Sequence, residues 1–168
     1  MAKFDKYAPK LLQLEGGYCW HPEDAGGPTC KGVTLKVYQQ YYGEGKTKEE
    51  LRDIPYGEWR HIMKDGYWDK VKGDAIENQS LAEIIADWAV NSGATGIRKV
   101  QEIVGCKPDG IVGPITLTLI NSSDAETLHD RIWKARQQFY INIVKRNPSQ
   151  KVFMNGWMNR LNQFNWES

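Results

Sequence analysis

Glu15 and Asp24 stand nine positions apart in the stretch EGGYCWHPEDAGGPTCKGVT, residues 15–34, and two hydroxyls, Thr29 and Thr34, follow them. Two carboxyl groups facing one cleft in opposite protonation states are what glycoside hydrolysis needs. One protonates the departing glycosidic oxygen, and the other serves the far side of an oxocarbenium-like transition state. The neighbourhoods of the two residues push them apart in this sense. Glu15 closes a helical pattern, and the partial negative charge at a helix C-terminus disfavours an ionised carboxyl there. Burial beside Tyr18 or Trp20 acts in the same direction. Glu15 is therefore expected to hold a proton and deliver it as a general acid. Asp24 falls in a polar loop, where hydration keeps it ionised. Thr29 offers a hydroxyl to hold a water molecule, and the surrounding glycines allow the backbone to approach a bulky sugar chain. Plainer readings exist for each: a Glu at a frayed helix end, an Asx-turn aspartate and a turn hydroxyl.

Other residues in and beyond this stretch admit chemistry. Cys19, His21 and Cys30 are three potential metal ligands, but their spacing fits no strong zinc pattern and no fourth ligand is evident. A Cys–His nucleophile pair lacks a group to orient the base. Cys19 and Cys30 could bridge across the loop, although three cysteines in all cannot pair within one chain and suit a reducing compartment. No cofactor or metal is called for. Tyr18, Trp20, Trp68 and Trp88 are candidates for stacking on sugar rings, with core packing as the competing use, favoured for Trp88 on its apolar helix face. Asp87 and Asn91, one helical turn apart, either hold the loop or touch sugar amides.

Charge narrows the partners. The 168 residues carry 22 Lys and Arg against 21 Asp and Glu, so no basic field exists to hold nucleic acid. No run approaches the ~20 apolar residues that span a membrane. The opening MAKFDKYAPKLLQLE lacks the apolar core of a secretion signal. The expectation is a protein made in the cytoplasm, with no membrane insertion.

The elements that must position these groups read as helices. Phe4, Tyr7, Leu11 and Leu14 recur at helical steps until Gly16 and Gly17 stop them. The glycine-rich loop follows, with a short hairpin inside it. Thr34 caps a helix over Leu35–Tyr42 that Gly43 closes. Thr47 and Glu50 form a capping box before a helix reaching about Ile54, and Ser80 with Glu83 form another. Between them a segment from Gly57 to Tyr67 places Trp59, Ile62 and Met63 on one side. The second box opens an amphipathic helix bearing Leu81, Ile84, Ile85, Trp88 and Ala89, ended by Gly93. Ile97, Val100, Ile103 and Val104 form the next stripe, up to Gly105. The turn KPDGIVGP leads to a helix from Pro114 to about Ile120. Asp124 caps a long helix whose core stripe is expected to be Leu128, Ile132, Ala135, Phe139 and Ile143. A last helix after Pro148 carries Val152, Phe153, Trp157, Leu161 and Phe164.

Read as E-G-G-Y followed by P-x-D-x-G-G-x-T-x-x-G-V-T, the opening stretch resembles the signature of glycoside hydrolase family 108, N-acetylmuramidases of the lysozyme superfamily. GYWDKV and DWAVNSG continue the likeness. From about Gly96 to Phe164 the chain resembles the predicted peptidoglycan-binding domain that follows in such proteins, most clearly at KPDGIVGPIT. The resemblance implies a mostly α, lysozyme-like fold with a short β-hairpin or glycine-rich loop after the first helix. It implies a catalytic region at 1–93 and a binding region at 94–168, packed as one unit. It also implies cleavage of the β-1,4 bond between N-acetylmuramic acid and N-acetylglucosamine, with peptidoglycan strands as partner. The catalytic glutamate carries over to Glu15. The Glu–Asp–Thr set of phage-type lysozymes is similar, and by that likeness Asp24 acts as base or electrostatic partner while Thr29 positions water, with Thr34 competing for that role. Tyr18, Trp20, Thr34, Trp68, Asp87 and Asn91 are the substrate-binding candidates. Access to the wall from the cytoplasm would be endolysin-like, through a holin-type pore or an export apparatus. A lytic transglycosylase, needing only the glutamate, and a non-catalytic peptidoglycan-binding or secretion-assembly module are the rival readings.

Overall fold

The computed structural model describes residues 1–21 and 26–168. The chain divides into two compact units, Phe4–Gly66 and Tyr67–Ser168, the latter taking in Met1–Lys3. The amino-terminal residues are tied there through Ala2 N–H to the Ile76 carbonyl at 2.9 Å and Lys3 N–H to Gln79 Oε1 at 2.8 Å. The division by packing thus falls near residue 66, not at residue 93 where the sequence motifs divide. The physical reason lies in the helix over Gln79–Ser92, described below.

In the unit Phe4–Gly66, helix α1 (Phe4–Glu15) buries Phe4, Tyr7 and Leu11 of the predicted stripe together with Ala8, while Leu14 at its end stays half-buried. Gly16 follows at φ +72°, a left-handed conformation that ends the helix. Three two-residue strands make a small antiparallel sheet in the order β1 (Tyr18–Cys19), β2 (Thr29–Cys30), β3 (Val33–Thr34). Cys30 pairs with Val33, so Lys31 and Gly32 alone form the β2–β3 connection. Both have positive φ, 51° and 83°, as a two-residue type I′ hairpin turn requires. Helix α2 (Leu35–Tyr42) starts at Thr34, whose Oγ1 accepts the Val37 N–H at 3.1 Å, and ends at Gly43. Helix α3 (Lys48–Arg52) has the expected capping box of Thr47 and Glu50. Helix α4 (Tyr56–Met63) buries Trp59, Ile62 and Met63, and a π-helical turn, Lys64–Trp68, carries the chain onward.

In the other unit, helix α5 (Gln79–Ser92) is enclosed on nearly every side from Leu81 to Ala89. It packs on α6 (Ala94–Val104) and α8 (Ala125–Arg146), which is why it belongs to this unit. Its N-cap is Asn78, whose Oδ1 accepts the Leu81 N–H at 2.9 Å. The Ser80 box expected from sequence does not form, because the Ser80 hydroxyl bonds the Glu167 backbone instead. Helix α7 (Pro114–Ser122) follows the KPDGIVGP turn, and Asp124 caps α8 as predicted. A 3-10 turn, Pro148–Phe153, precedes α9 (Met154–Leu161), so Val152 and Phe153 are exposed and not part of a helical stripe.

The long helix α8 differs most from its sequence pattern. Leu128 and Ile132 are buried as expected, but the deep face then continues through Arg136 and Tyr140. Ala135, Phe139 and Ile143, one position off this line, stay half-exposed. An arginine occupies the core because it has a buried carboxylate to meet, and it displaces the apolar stripe toward the surface.

Candidate active site

Glu15 ends α1 half-buried, directly before the two glycines that release the chain into β1. The β2–β3 turn presses against it. A Cβ on Gly32 would lie 2.7 Å from Glu15 Oε2 and 2.9 Å from Cδ, closer than side-chain carbons approach one another. The backbone of Gly32 therefore forms one wall of the seat of this carboxyl, and only glycine supplies both that close approach and φ +83°. The turn is held in turn by Trp59 of α4, whose Nε1–H donates to the Lys31 carbonyl at 2.8 Å. Lys31 N–H also donates to the Gly17 carbonyl at 3.3 Å, tying the turn to the segment after Glu15. Gly32 had no signal in the periodicity, and Trp59 read only as one residue of the apolar side of its segment. The G-V-T close of the signature marked Gly32 as a position, without a reason.

The strand register sorts the other candidates of this unit by sheet face. Cys19 pairs with Thr29 and Thr29 with Thr34, so these three share one face, while Tyr18, Cys30 and Val33 share the other. The alternation keeps Cys19, exposed, and Cys30, buried, on opposite sides, and both are free thiols. Burial pushes the Cys30 thiol above its ordinary range, and its Sγ donates to the Arg52 carbonyl at 3.7 Å. Thr34 has its hydroxyl engaged as the α2 cap, whereas Thr29 is a half-buried strand residue. Tyr18 is half-buried on the opposite face. Trp20 is 42% exposed, with Lys48 Nζ 4.0 Å from its ring centroid, a cation–π contact that fixes the indole. Asp24 lies outside the described residues. Among the described residues, no group of three His, Cys, Asp or Glu side chains is placed to hold a metal ion.

Trp68, Asp87 and Asn91 belong to the other unit, the first two buried inside it and Asn91 half-buried. Trp68 is 1% exposed, its Nε1–H donates to Asp74 Oδ1 at 2.8 Å, and Gly73 backs directly onto its ring. Asp87 is fully buried. Its Oδ2 accepts from Arg136 Nη2 at 2.8 Å and from Arg160 Nε at 3.0 Å, and its Oδ1 accepts from Arg160 Nη2 at 2.8 Å. Arg136 Nε–H donates to the Tyr140 hydroxyl at 2.8 Å, and that hydroxyl donates to Asn91 Oδ1 at 2.6 Å. Burial raises the Tyr140 phenol above its ordinary range. Arg136 Nη1 has no hydrogen-bond acceptor, but the guanidinium lies over the rings of Tyr140 and Phe164 at 5.8 and 5.7 Å. Asp87 and Asn91 thus fasten α5 to α8 and α9, and neither Asp87 nor Trp68 has surface left for a sugar. The KPDGIVGP turn is organised from inside as well. The buried Gln101 amide donates to Asp109 Oδ1 and to the Ile111 carbonyl, each at 2.9 Å, and accepts the Gly110 N–H at 2.9 Å. The hydrogen bond from Gln101 holds the Asp109 carboxyl below the usual carboxylate range.

The same architecture recurs in known proteins. The structure of SagA from Brucella abortus matches with a TM-score of 0.79 at 29% identity, over 96% of this chain and 90% of that one. The fold is accordingly mostly α and lysozyme-like, with one small antiparallel sheet. No curated protein matches the sequence. The predicted peptidoglycan domain family matches residues 95–162, and the glycosyl hydrolase 108 family matches residues 8–93. Together they support a role in binding and hydrolysing peptidoglycan. The second match begins inside the unit built on the Asp87 cluster, and the first contains Glu15 with its glycine seat and just over half of the chain, which therefore belongs to glycosyl hydrolase family 108.

Proposed function

We propose that this chain is a lysozyme-type N-acetylmuramidase that cleaves the β-1,4 bond between N-acetylmuramic acid and N-acetylglucosamine, with Glu15 as general acid. The observation that carries the reading is the seat of Glu15. A glutamate half-open to the surface, at a helix end, is walled by turn backbone that admits no side chain. Such a seat backs the carboxyl with fixed backbone while the side chain keeps part of its surface exposed, which suits a group that must meet a glycosidic oxygen.

Asp24 acts opposite Glu15 as base or electrostatic partner of the developing oxocarbenium ion. Thr29 positions the water, in preference to Thr34, whose Oγ1 is held against the Val37 N–H as the cap of α2. Tyr18 and Trp20 are the sugar contacts, with Trp20 presenting an indole braced by Lys48. The enzyme acts on the wall after endolysin-like release or export. Clearing of purified sacculi by the wild-type chain and by Glu15→Gln, with the released fragments identified by mass spectrometry, tests the proposal. Reducing N-acetylmuramic acid ends from wild type, and none from the variant, are expected. Release of 1,6-anhydro ends would make the protein a lytic transglycosylase. Binding without clearing by both proteins would make it a non-catalytic module.

A further inference from the structure

The displaced stripe of α8 has a second consequence. Ala135 and Phe139, the residues whose spacing reads as core, floor an open groove of about 780 Å³ between α6 and α8. Ile103 completes the floor from α6. The Phe139 ring is not loose there. It meets Trp88 edge-on at 5.9 Å and Tyr140 at 5.9 Å, so its exposed side is a fixed apolar surface. The rim is cationic: Lys99 from α6, and Lys145 and Arg146 from the last turn of α8, face one carboxylate, Glu102. Glu102 sits 3.7 Å from Lys99, which leaves the two cations of α8 without a carboxylate in the groove. Gln138 and Asn142 add amides along the same edge.

A fixed apolar floor of methyl and ring carbons beneath a rim of net positive charge selects an extended ligand with small apolar side chains and repeated free carboxylates. Glycan whose lactyl carboxyls are amide-linked to stems offers acetyl methyls but no free carboxylates. The peptide stems of peptidoglycan offer both features, since they place residues bearing free carboxylates between alanine methyls. We infer that the α6–α8 groove binds the acidic peptide stem of peptidoglycan, with Phe139 and Ala135 under the alanine methyls and Lys145 and Arg146 on the carboxylates. The proposal rests on peptidoglycan being the partner, and it does not depend on the chemistry at Glu15. It assigns the two units different parts of one polymer, strand and stem.

The test uses the full chain and two soluble probes: a stem tetrapeptide released from sacculi by an amidase, and a neutral N-acetylglucosamine oligosaccharide as the glycan. Titration followed by amide chemical shifts should move residues of α6 and of the second half of α8 with the tetrapeptide and leave them still with the glycan. Lys145→Gln/Arg146→Gln, which removes two cations, should weaken tetrapeptide binding at least about tenfold, the loss expected if even one of them makes a charge-assisted contact, and Gln138→Trp, which fills the groove from an exposed position, should weaken it by about as much. Raised salt should weaken binding to the wild type and hardly alter that to the charge variant. Absence of shifts in these helices, wild-type affinity in both variants, or the same shifts with the neutral oligosaccharide would overturn the inference. Failure of the muramidase reading registers separately, as sacculi that yield no muramic acid ends while the tetrapeptide still binds.

Discussion

Glu15 and Asp87 are both acidic residues on helices, both inside stretches that resemble family signatures, and the chain treats them in opposite ways. Asp87 is closed in completely, with two guanidinium groups on its two oxygens and Tyr140 and Asn91 extending the network. Glu15 is left half-open, backed by the Gly32 turn of a small sheet. A carboxylate saturated by arginines has no capacity to exchange a proton or meet a ligand, and removing it strands the cations. A half-exposed carboxylate backed by a turn keeps a side open to a ligand. Enclosure, more than residue type or motif membership, separates the two roles.

The sharpest way to break this comparison is to exchange the consequences. Glu15→Gln should lower sacculus turnover by about 10²–10⁴-fold, the usual worth of a general acid, with no fall in melting temperature. Asp87→Ala should do the reverse in kind. Leaving the fully buried Arg136 without its carboxylate, and Arg160 without this one, should cost about 3–5 kcal/mol of stability, read by urea denaturation. Should Asp87→Ala keep full stability, the network is not what holds α5, α8 and α9 together. Loss of stability in Glu15→Gln would instead make that residue structural.

Gly32→Ala is the next test in size. The added methyl would meet the Glu15 carboxyl at 2.7 Å in a backbone conformation that disfavours any side chain. We expect a loss of about 1–3 kcal/mol from the strained φ, together with a fall in turnover that exceeds what the remaining folded fraction explains. A stability loss with unchanged turnover per folded molecule would show that the turn does not seat the acid.

How much of this was legible in the sequence follows from what each feature depends on. The stripe of α1, the Thr34 and Asp124 caps, the Thr47 box and the glycine stops depend on neighbours within one turn, and they read correctly. The cap of α5 was misplaced by two residues because Asn78 and Ser80 are both good caps, and only the position of Glu167 decides between them. The face of α8 was misread for a stronger reason. Periodicity assigns apolar residues to the core, yet Arg136 is drawn inward by a carboxylate 49 positions away. At the candidate site, the helix-end position of Glu15 was local and readable. Its glycine wall and the Trp59 anchor on that wall arise only when the β2–β3 turn folds back.

The two threonines offer a finer separation of the same kind, structure from chemistry. Thr34→Ala removes the hydroxyl that accepts the Val37 N–H and should cost about 1 kcal/mol of stability, with turnover per folded molecule intact. Thr29→Ala should leave the melting temperature nearly unchanged and lower kcat, with little change in KM, if it holds the attacking water. Equal kinetic losses from both substitutions would remove the reason for preferring Thr29.

The smallest effect concerns a third carboxylate, which completes the scale of enclosure. Asp124 is open to solvent at the start of α8, where its Oδ2 accepts the Thr127 hydroxyl at 2.6 Å and the Thr127 N–H at 3.0 Å. These bonds, the hydroxyl first, hold its carboxyl below the ordinary value of 3.8. A carboxyl whose folded value is depressed stabilises the native state fully above its unfolded value, and that contribution fades as pH falls through the folded value. The melting temperature of wild type should therefore exceed that of Asp124→Ala at pH 7, and the part of the gap owed to ionisation should shrink only below about pH 4. Thr127→Val, which keeps the N–H but removes the hydroxyl, should leave that onset in place, move the lower end of the shrinkage to higher pH and narrow the gap at pH 7. A lower end and a gap that both stay put in Thr127→Val would mean that the backbone N–H and the helix end alone hold the charge, and that solvent leaves the hydroxyl no part in it.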